Sequence, residues 1–326
     1  MRAIVITEPG GPEVLQIREV ADPVPAEDEV LIRVKAFGVN HAETHMRKGE
    51  WPEATPVSGI EAVGTVVTDP SGVLAEGTKV LTIMGGLGRS RNGSYAEYTA
   101  APAANVAPIE TSLDWTDLAA IPESYATAWL TLHGNLELQA GQSLLVRGAT
   151  SALGQAAVNI ASDLGARVIA TTRRENCAGL LRSLGADSVV LENGNIAGKV
   201  RQLAPGGADR VLDLVGNSVL RDSLQAAGVK GRVCQAGFLG GLRPVADFLP
   251  IVDMPSGVQF SFFGSFEVGT VTYPISAIPF QELVAKAEAG VYQAKPARVF
   301  AFEEIAEAHR VMEASQAAGK LVVAGA

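Results

Sequence analysis

Cysteine is nearly absent: Cys177 and Cys234 are the only two in 326 residues. Two thiols cannot build a disulfide framework or a four-thiolate zinc knot. Basic residues are outnumbered, 26 Lys and Arg against 35 Asp and Glu, for a formal net charge of −9. That balance argues against a nucleic-acid binder relying on a global basic field. No apolar run reaches the roughly 18–20 residues of a membrane span. The N-terminus, Met1-Arg2-Ala3-Ile4-Val5-Ile6-Thr7-Glu8, turns polar too soon for a signal peptide. These absences predict a soluble, reduced, cytoplasmic protein. Charged residues are only 19% while hydrophobic residues are 47%, which excludes intrinsic disorder. The length suits about two domains of roughly 100–200 residues each. Aromatics are few (6%) and glycines many (35), a balance that fits an α/β fold with many tight turns.

The first 110 residues read as strand and turn. Ala3–Thr7, Leu15–Glu19, Val30–Phe37, Ala62–Thr68 and Lys79–Ile83 are short apolar or alternating runs, punctuated by Pro9-Gly10-Gly11-Pro12 and Gly77. A short helix is expected after Asn40. From Gln142 onward strands alternate with amphipathic helices: strands at Ser143–Arg147, Arg167–Thr172, Ser188–Leu191, Val211–Val215 and Arg232–Ala236, with helices at Leu153–Leu164, Glu175–Leu184, Ile196–Leu203 and Ser218–Ala226. This rhythm predicts a doubly wound parallel sheet with right-handed crossovers. After a loop-rich stretch, Gln259–Phe263 reads as a sixth strand, Phe280–Ala289 and Phe302–Ala314 as helices, and Lys320–Ala324 as a closing strand. The strand-rich head has no other closing partner, so the first domain is expected to be discontinuous.

The strongest chemical signal is Leu144-Leu145-Val146-Arg147-Gly148-Ala149-Thr150-Ser151-Ala152-Leu153-Gly154. A buried strand runs through a small-residue turn into a helix, which lets main-chain N–H groups approach a pyrophosphate. Against Gly-x-Gly-x-x-Gly, the first two glycine positions hold Ala149 and Ser151, and only Gly154 is kept. The bland alternative is a tight turn in some other α/β protein; the surrounding βαβ unit favours a dinucleotide. An NAD site wants a carboxylate at the tip of the second strand. Here the tip reads Thr171-Thr172-Arg173-Arg174. Arginine forks suit a 2′-phosphate, so NADP(H) is the expected cofactor, the alternative being two solvated arginines.

The whole chain resembles the medium-chain dehydrogenase/reductase superfamily, and within it the zinc-free quinone oxidoreductases of the zeta-crystallin-like group. The resemblance is carried by Gly10-Gly11-Pro12-Glu13-Val14, Val34-Lys35-Ala36-Phe37-Gly38-Val39-Asn40, Pro56-Val57-Ser58-Gly59-Ile60-Glu61, Gly93-Ser94-Tyr95, Ile121-Pro122-Glu123-Ser124-Tyr125-Ala126-Thr127, Leu184-Gly185-Ala186-Asp187, His309-Arg310 and Gly319-Lys320. It implies an α/β protein with a GroES-like mainly-β domain (1–118 plus about 266–326) and a Rossmann doubly wound parallel-sheet domain (119–265). It implies Tyr125 and Asn40 as catalytic residues. The cofactor would be bound by Thr127, by Ala149, Ser151, Ala152 and Leu153 of the turn, by Thr172, Arg173 and Arg174, and by Val215, Gly237, Phe238, Phe263, Ser265 and Lys320. Asn40 would reach cofactor or substrate at an interdomain cleft. Tyr125 would hydrogen-bond an acceptor carbonyl or supply a proton, unless it is a packing residue and water supplies it.

The same comparison says what is missing. Zinc-dependent relatives carry Cys where this chain has Asn40, His-Glu where it has Ile60-Glu61, and a third ligand Cys near Ser124-Tyr125. No catalytic zinc is expected. Without a Lewis acid for an alkoxide, reduction of quinones or of the C=C bond of α,β-unsaturated carbonyls is favoured over alcohol oxidation. A homodimer is implied, with no nucleic acid and no membrane. Alternatives are an NADPH-binding protein with a structural or RNA-contact role, and a disfavoured zinc-dependent alcohol dehydrogenase.

Other motifs carry less. His41 and His45 lie at i, i+4 but not in His-Glu-x-x-His, so a helix start is expected rather than a metal site. Ser151 lacks the flanking glycines of a hydrolase nucleophile. Asn92-Gly93-Ser94 matches a glycosylation acceptor that a cytoplasmic chain would not use. His133 and His309 are expected to be structural and Cys177 and Cys234 buried or incidental. Met84-Gly85-Gly86-Leu87-Gly88-Arg89 is expected to form a mobile rim.

Overall fold

The computed structural model describes residues 1–51 and 53–325. The chain divides into two compact units, the first comprising Met1–Ala126, Phe266–Gly290 and Ala294–Ala326, the second Thr127–Ser265 and Val291–Gln293.

The first unit opens with β1 (Arg2–Ile6) and β2 (Leu15–Glu19), an antiparallel pair. There follow β3 (Glu29–Val39), α1 (His41–Arg47), β4 (Glu61–Thr68), β5 (Lys79–Ile83), β6 (Tyr98–Pro102), β7 (Val106–Pro108) and α2 (Trp115–Leu118). In β3 the alternate residues Val30, Ile32, Val34 and Ala36 are buried, the period-2 pattern that one core face imposes. α3 (Pro122–Leu130) begins in this unit and contains the point where the second begins.

The second unit is a run of βα units: β8 (Ser143–Arg147), α4 (Ala152–Asp163), β9 (Arg167–Thr172), α5 (Ala178–Ser183), β10 (Ser188–Leu191), α6 (Ala197–Leu203), β11 (Ala208–Asp213), α7 (Leu220–Ala226), β12 (Ala227–Gln235), α8 (Pro250–Asp253) and β13 (Gln259–Phe262). The strands pair in parallel in the order β10-β9-β8-β11-β12-β13. β8 is buried along its whole length, as a central strand covered on both faces must be. β12 starts five residues before the expected Arg232. Ala227 pairs with Ala208, and the register shifts before Arg210. The glycine-containing Ala227-Gly228-Val229-Lys230-Gly231 reads locally as a loop, yet pairing holds it extended on either side of Lys230 (φ 62°).

The chain then returns to the first unit through α9 (Phe280–Glu288), β14 (Arg298–Phe300), α10 (Ile305–Glu313) and β15 (Leu321–Ala324). The expected helix from Phe302 instead opens with a 3₁₀ turn, Phe302–Glu304. Among the described residues the large sheet here has the order β14-β15-β3-β4-β5-β7, with β6 also pairing β3. Its core joins Phe37, Tyr95, Phe302, Ile305 and Leu321. The rings of Phe37 and Tyr95 stack at 4.6 Å.

Candidate functional site

In the second unit the carboxyl ends of the parallel strands form a crest built mainly of main chain. β8 runs into Gly148 (φ 84°), a conformation that favours glycine. Ser151 caps α4: the Gly154 N–H donates to Ser151 Oγ (3.1 Å), whose hydroxyl donates to Gly148 O (2.9 Å). A Cβ at Gly154 would lie 2.6 Å from Ala149 Cα, so helix and strand close to a distance only glycine allows. Ala149 is wholly buried, and its N–H donates to Thr171 O (3.2 Å). Ala152 and Leu153 form the half-buried first turn of α4, where N–H groups have no partner within the helix. This cradle of small residues at a helix start fits a dinucleotide pyrophosphate.

At the end of β9, buried Thr172 accepts the Arg174 N–H at Oγ1 (3.1 Å). Arg173 is exposed and Arg174 half-buried, and among the described residues neither guanidinium forms an ion pair. At the end of β11, Asp213 Oδ1 accepts the N–H groups of Val215 (2.9 Å) and Gly216 (2.8 Å). Gly237 follows β12, and a Cβ there would lie 2.6 Å from Leu214 O. Leu239 and Gly240 donate back to Leu214 O and Val215 O, lacing the two loops together. Phe238 packs its ring 5.7 Å from Phe262. Phe263 is buried, and Ser265 is half-buried at the head of a 3₁₀ turn. Thr127 is buried in α3. Val215, Gly237 and Phe238 are thus brought together, whereas Thr172–Arg174 sit on the other side of β8 in the strand order.

Beneath the crest lies a group that the motif reading does not single out. Arg147, wholly buried, places Nε and Nη2 on the two oxygens of Glu192 (2.8 Å each) and Nη1 on Asp222 (2.8 Å) and Ser223 Oγ (2.9 Å). Burial pushes the Asp213 carboxyl up. For Glu192 burial acts the same way, but the Arg147 hydrogen bonds outweigh it and hold that carboxyl low. The signal was a lone arginine closing the apolar run Leu144–Arg147.

The first unit holds a different kind of site. Val39 of β3 pairs with Leu321 of β15, so Asn40 and Lys320 flank one rung, and Glu61 opens β4 on the other side of β3. Lys320, 4% exposed, donates from Nζ to Asn40 Oδ1 (2.6 Å) and to Glu61 Oε1. Asn40 Nδ2 donates to Glu61 Oε1 (2.9 Å) and Glu43 Oε1 (3.2 Å). Glu43 caps α1 by accepting the Asn40 N–H (2.8 Å), and it also accepts the Ile60 N–H (3.2 Å). Burial pushes Glu43 up to about 7. For Lys320 burial opposes the charge, but Glu61, Glu123 and Glu43 outweigh it and raise the ammonium. Tyr125 is buried in α3, four residues after Ile121, whose carbonyl accepts its N–H (2.9 Å). Glu43 was missed although it stands three residues after Asn40, the capping-box spacing at a helix start, and Glu61 was seen only as a motif letter.

Among the described residues no group of three or more His, Cys, Asp and Glu is placed to hold a metal ion. His45 stacks on Trp51 and contacts Glu50. His309 lies buried between Arg47 Nη1 and the Tyr95 hydroxyl (3.2 Å each), and burial lowers it to about 3. Cys177 and Cys234 are free and buried. In the glycine-rich run Arg89 lies 5.7 Å from both the Trp51 and the Phe266 ring centroids. Among the described residues no helix is long and apolar enough to cross a membrane.

A strand-built first unit closed by the C-terminal tail, with a parallel-sheet unit bearing a dinucleotide turn, defines the two-part dehydrogenases and reductases of the medium-chain type. Residues 26–111 match the alcohol dehydrogenase GroES-like domain and residues 184–323 the zinc-binding dehydrogenase family. The human quinone oxidoreductase is 30% identical over 99% of this chain and 97% of its own length. A mycobacterial protein complexed with NADPH superposes with a TM-score of 0.88 at 27% identity, covering 99% of this chain and all of that one. An NAD-dependent alcohol dehydrogenase superposes at 0.84 with 30% identity, covering 99% of each chain. The chain belongs to the quinone oxidoreductase family of the medium-chain dehydrogenase/reductase superfamily, and it is an oxidoreductase.

Proposed function

We propose that the protein is an NADPH-dependent, zinc-independent oxidoreductase that reduces quinones or the C=C bond of α,β-unsaturated carbonyls. The observation that carries the cofactor choice is the tip of β9. Two arginines stand there with no ion-pair partner among the described residues, and Thr172 occupies the strand end where an acid would hold a ribose 2′-hydroxyl. Guanidinium forks bind a 2′-phosphate with geometry as well as charge. The NADPH bound to the mycobacterial neighbour supports the same choice.

When bound, the cofactor supplies a hydride. The turn 148–154 directs main-chain N–H groups to the pyrophosphate, with Ala152 and Leu153 in the first turn of α4. Val215, Gly237, Phe238, Phe263 and Ser265 on the crest, with Thr127 in α3, line the rest of the nucleotide. Asn40 presents an amide held through both its oxygen and its nitrogen, Lys320 an ammonium, and Tyr125 a hydroxyl that would bond the acceptor carbonyl. The names of the curated relatives favour quinones. Two buried free thiols suit a reducing compartment. β13 ends the strand order of its sheet, and Phe260 and Phe262 are 42% and 49% exposed. An unpaired apolar edge of this kind supports a homodimer.

The test is NADPH and NADH oxidation by chelator-treated protein with 1,4-benzoquinone, 9,10-phenanthrenequinone and a short enone. Turnover with NADPH and a quinone is expected. NADPH binding without any turnover across the panel overturns the enzymatic reading. Arg173→Ala with Arg174→Ala is expected to raise KM for NADPH at least tenfold, about 1.4 kcal/mol, with KM for NADH nearly unchanged. An equal loss for both nucleotides removes the 2′-phosphate assignment.

A further inference from the structure

The buried corner of the first unit has one member whose side chain reaches three separate segments of the chain. Glu61 is wholly buried, and both carboxylate oxygens are engaged. Oε1 accepts Asn40 Nδ2 (2.9 Å) and Lys320 Nζ. Oε2 accepts the main-chain N–H of Glu123 (2.7 Å). Glu123 lies in the first turn of α3, two residues before Tyr125. One side chain therefore joins three segments: the start of α1, the residue before β15, and the helix that carries Tyr125. Gly38 keeps the space open, since a Cβ there would stand 2.2 Å from Glu61 Oε1 and 2.4 Å from Lys320 Cε.

Stability alone does not ask for this arrangement. A buried ion pair rarely outperforms apolar side chains of the same volume, and this position lies in a strand whose neighbours Ala62 and Val63 are fully buried aliphatics. What a carboxylate does here, and an aliphatic group cannot, is orient. It turns the Asn40 amide so that Oδ1 faces Lys320, holds the first N–H of α3, and keeps a buried ammonium charged. We infer that Glu61 is a positioning residue for the reaction: it sets the direction of the Asn40 amide and the seat of the Tyr125 helix, and it maintains the charge on Lys320. This rests on the reading that Asn40, Tyr125 and Lys320 face cofactor or acceptor.

The titratable groups facing Lys320 are Glu61, Glu123, Glu43 and His41, and those facing Glu61 are Lys320, Glu43 and Tyr95. Glu61→Gln removes the charge beside Lys320 and puts an amide donor into a site where both oxygens accept. Glu61→Asp keeps the charge. With NADPH and 1,4-benzoquinone, Glu61→Gln is expected to lower kcat at least tenfold while KM for NADPH stays within threefold. The alkaline limb of the kcat profile should move at least one pH unit toward neutrality, and hydrogen exchange of the Glu123 amide should quicken at least tenfold. Glu61→Asp should return the limb to its wild-type position.

Glu61→Gln with kcat within twofold of wild type overturns the inference. So do equal kcat losses in both variants with an unmoved limb, which mark a folding role only. If Glu61→Gln does not fold, Lys320→Gln takes its place. It should abolish the alkaline limb yet leave Glu123 exchange slow, and a persistent limb or fast exchange refutes the tie. If wild type turns over no NADPH, the proposed function fails, and Glu123 exchange in the variants still decides whether Glu61 holds α3.

Discussion

The two units build their sites by opposite means. In the second unit the crest is main chain and small residues, with Gly148, Ala149, Ser151 and Gly154 within seven positions of one another. In the first unit the corner is side chain and charge, and Lys320 reaches Asn40 across 280 residues. A site of amides and glycines is inexpensive to bury, because N–H groups at a helix start are already aligned. A site of carboxylates and an ammonium stays buried only while each charge keeps its partner. The first therefore tolerates side-chain changes that leave the turn intact, whereas the second depends on every member.

That contrast can be broken most directly at Lys320. Lys320→Met leaves Glu61 buried without its counter-charge and should destabilise the protein by about 3–5 kcal/mol, read by urea unfolding. A loss below about 1 kcal/mol would put the corner on the same footing as the crest.

Next comes pH. Burial raises Glu43 from 4.5 to about 7, so the folded state holds its proton more tightly. The stability this contributes is complete below pH 4.5 and is lost as pH rises toward 7. Burial lowers His309 from 6.5 to about 3, so the folded state resists protonation. That contribution is complete above pH 6.5 and is lost as pH falls toward 3. The two slopes oppose each other between about pH 4.5 and 6.5. Glu43→Gln removes one of them. Its unfolding free energy should then rise with pH over that window more steeply than wild type, by at most about 1.4 kcal/mol per pH unit. Parallel profiles for the two proteins would show that the Glu43 proton is not linked to folding.

The smallest effect belongs to the crest. Ser151→Ala removes one cap bond to Gly154 and should cost about 1 kcal/mol, with the turn's main chain retained. A loss approaching that of Lys320→Met would erase the distinction between the regions.

The same contrast separates what could be read along the chain from what could not. The turn at 148–154, the strand tip at Thr172–Arg174 and the alternation from Ser143 to Gln235 are local. Each rests on a spacing of a few residues, where helix periodicity and turn chemistry act directly. Arg147 shows the limit of such reading. It stands within the nucleotide motif, yet its partners Glu192 and Asp222 are 45 and 75 residues away. The start of β12 was missed for a related reason, since Gly228 and Gly231 look like loop residues until Ala208 pairs with Ala227.

From the amino-acid order follow the parallel-sheet rhythm, the small-residue turn at a helix start with arginines beyond the second strand, and a tail strand without a nearby partner. Pairing in space decided the rest. Once β15 lies against β3 and β4 against its other edge, Asn40, Glu61 and Lys320 meet at one corner, and α3 docks its first N–H on the carboxylate. Charges in water carry no memory of such neighbours. Only when folding removes the solvent does each become obliged to find the others.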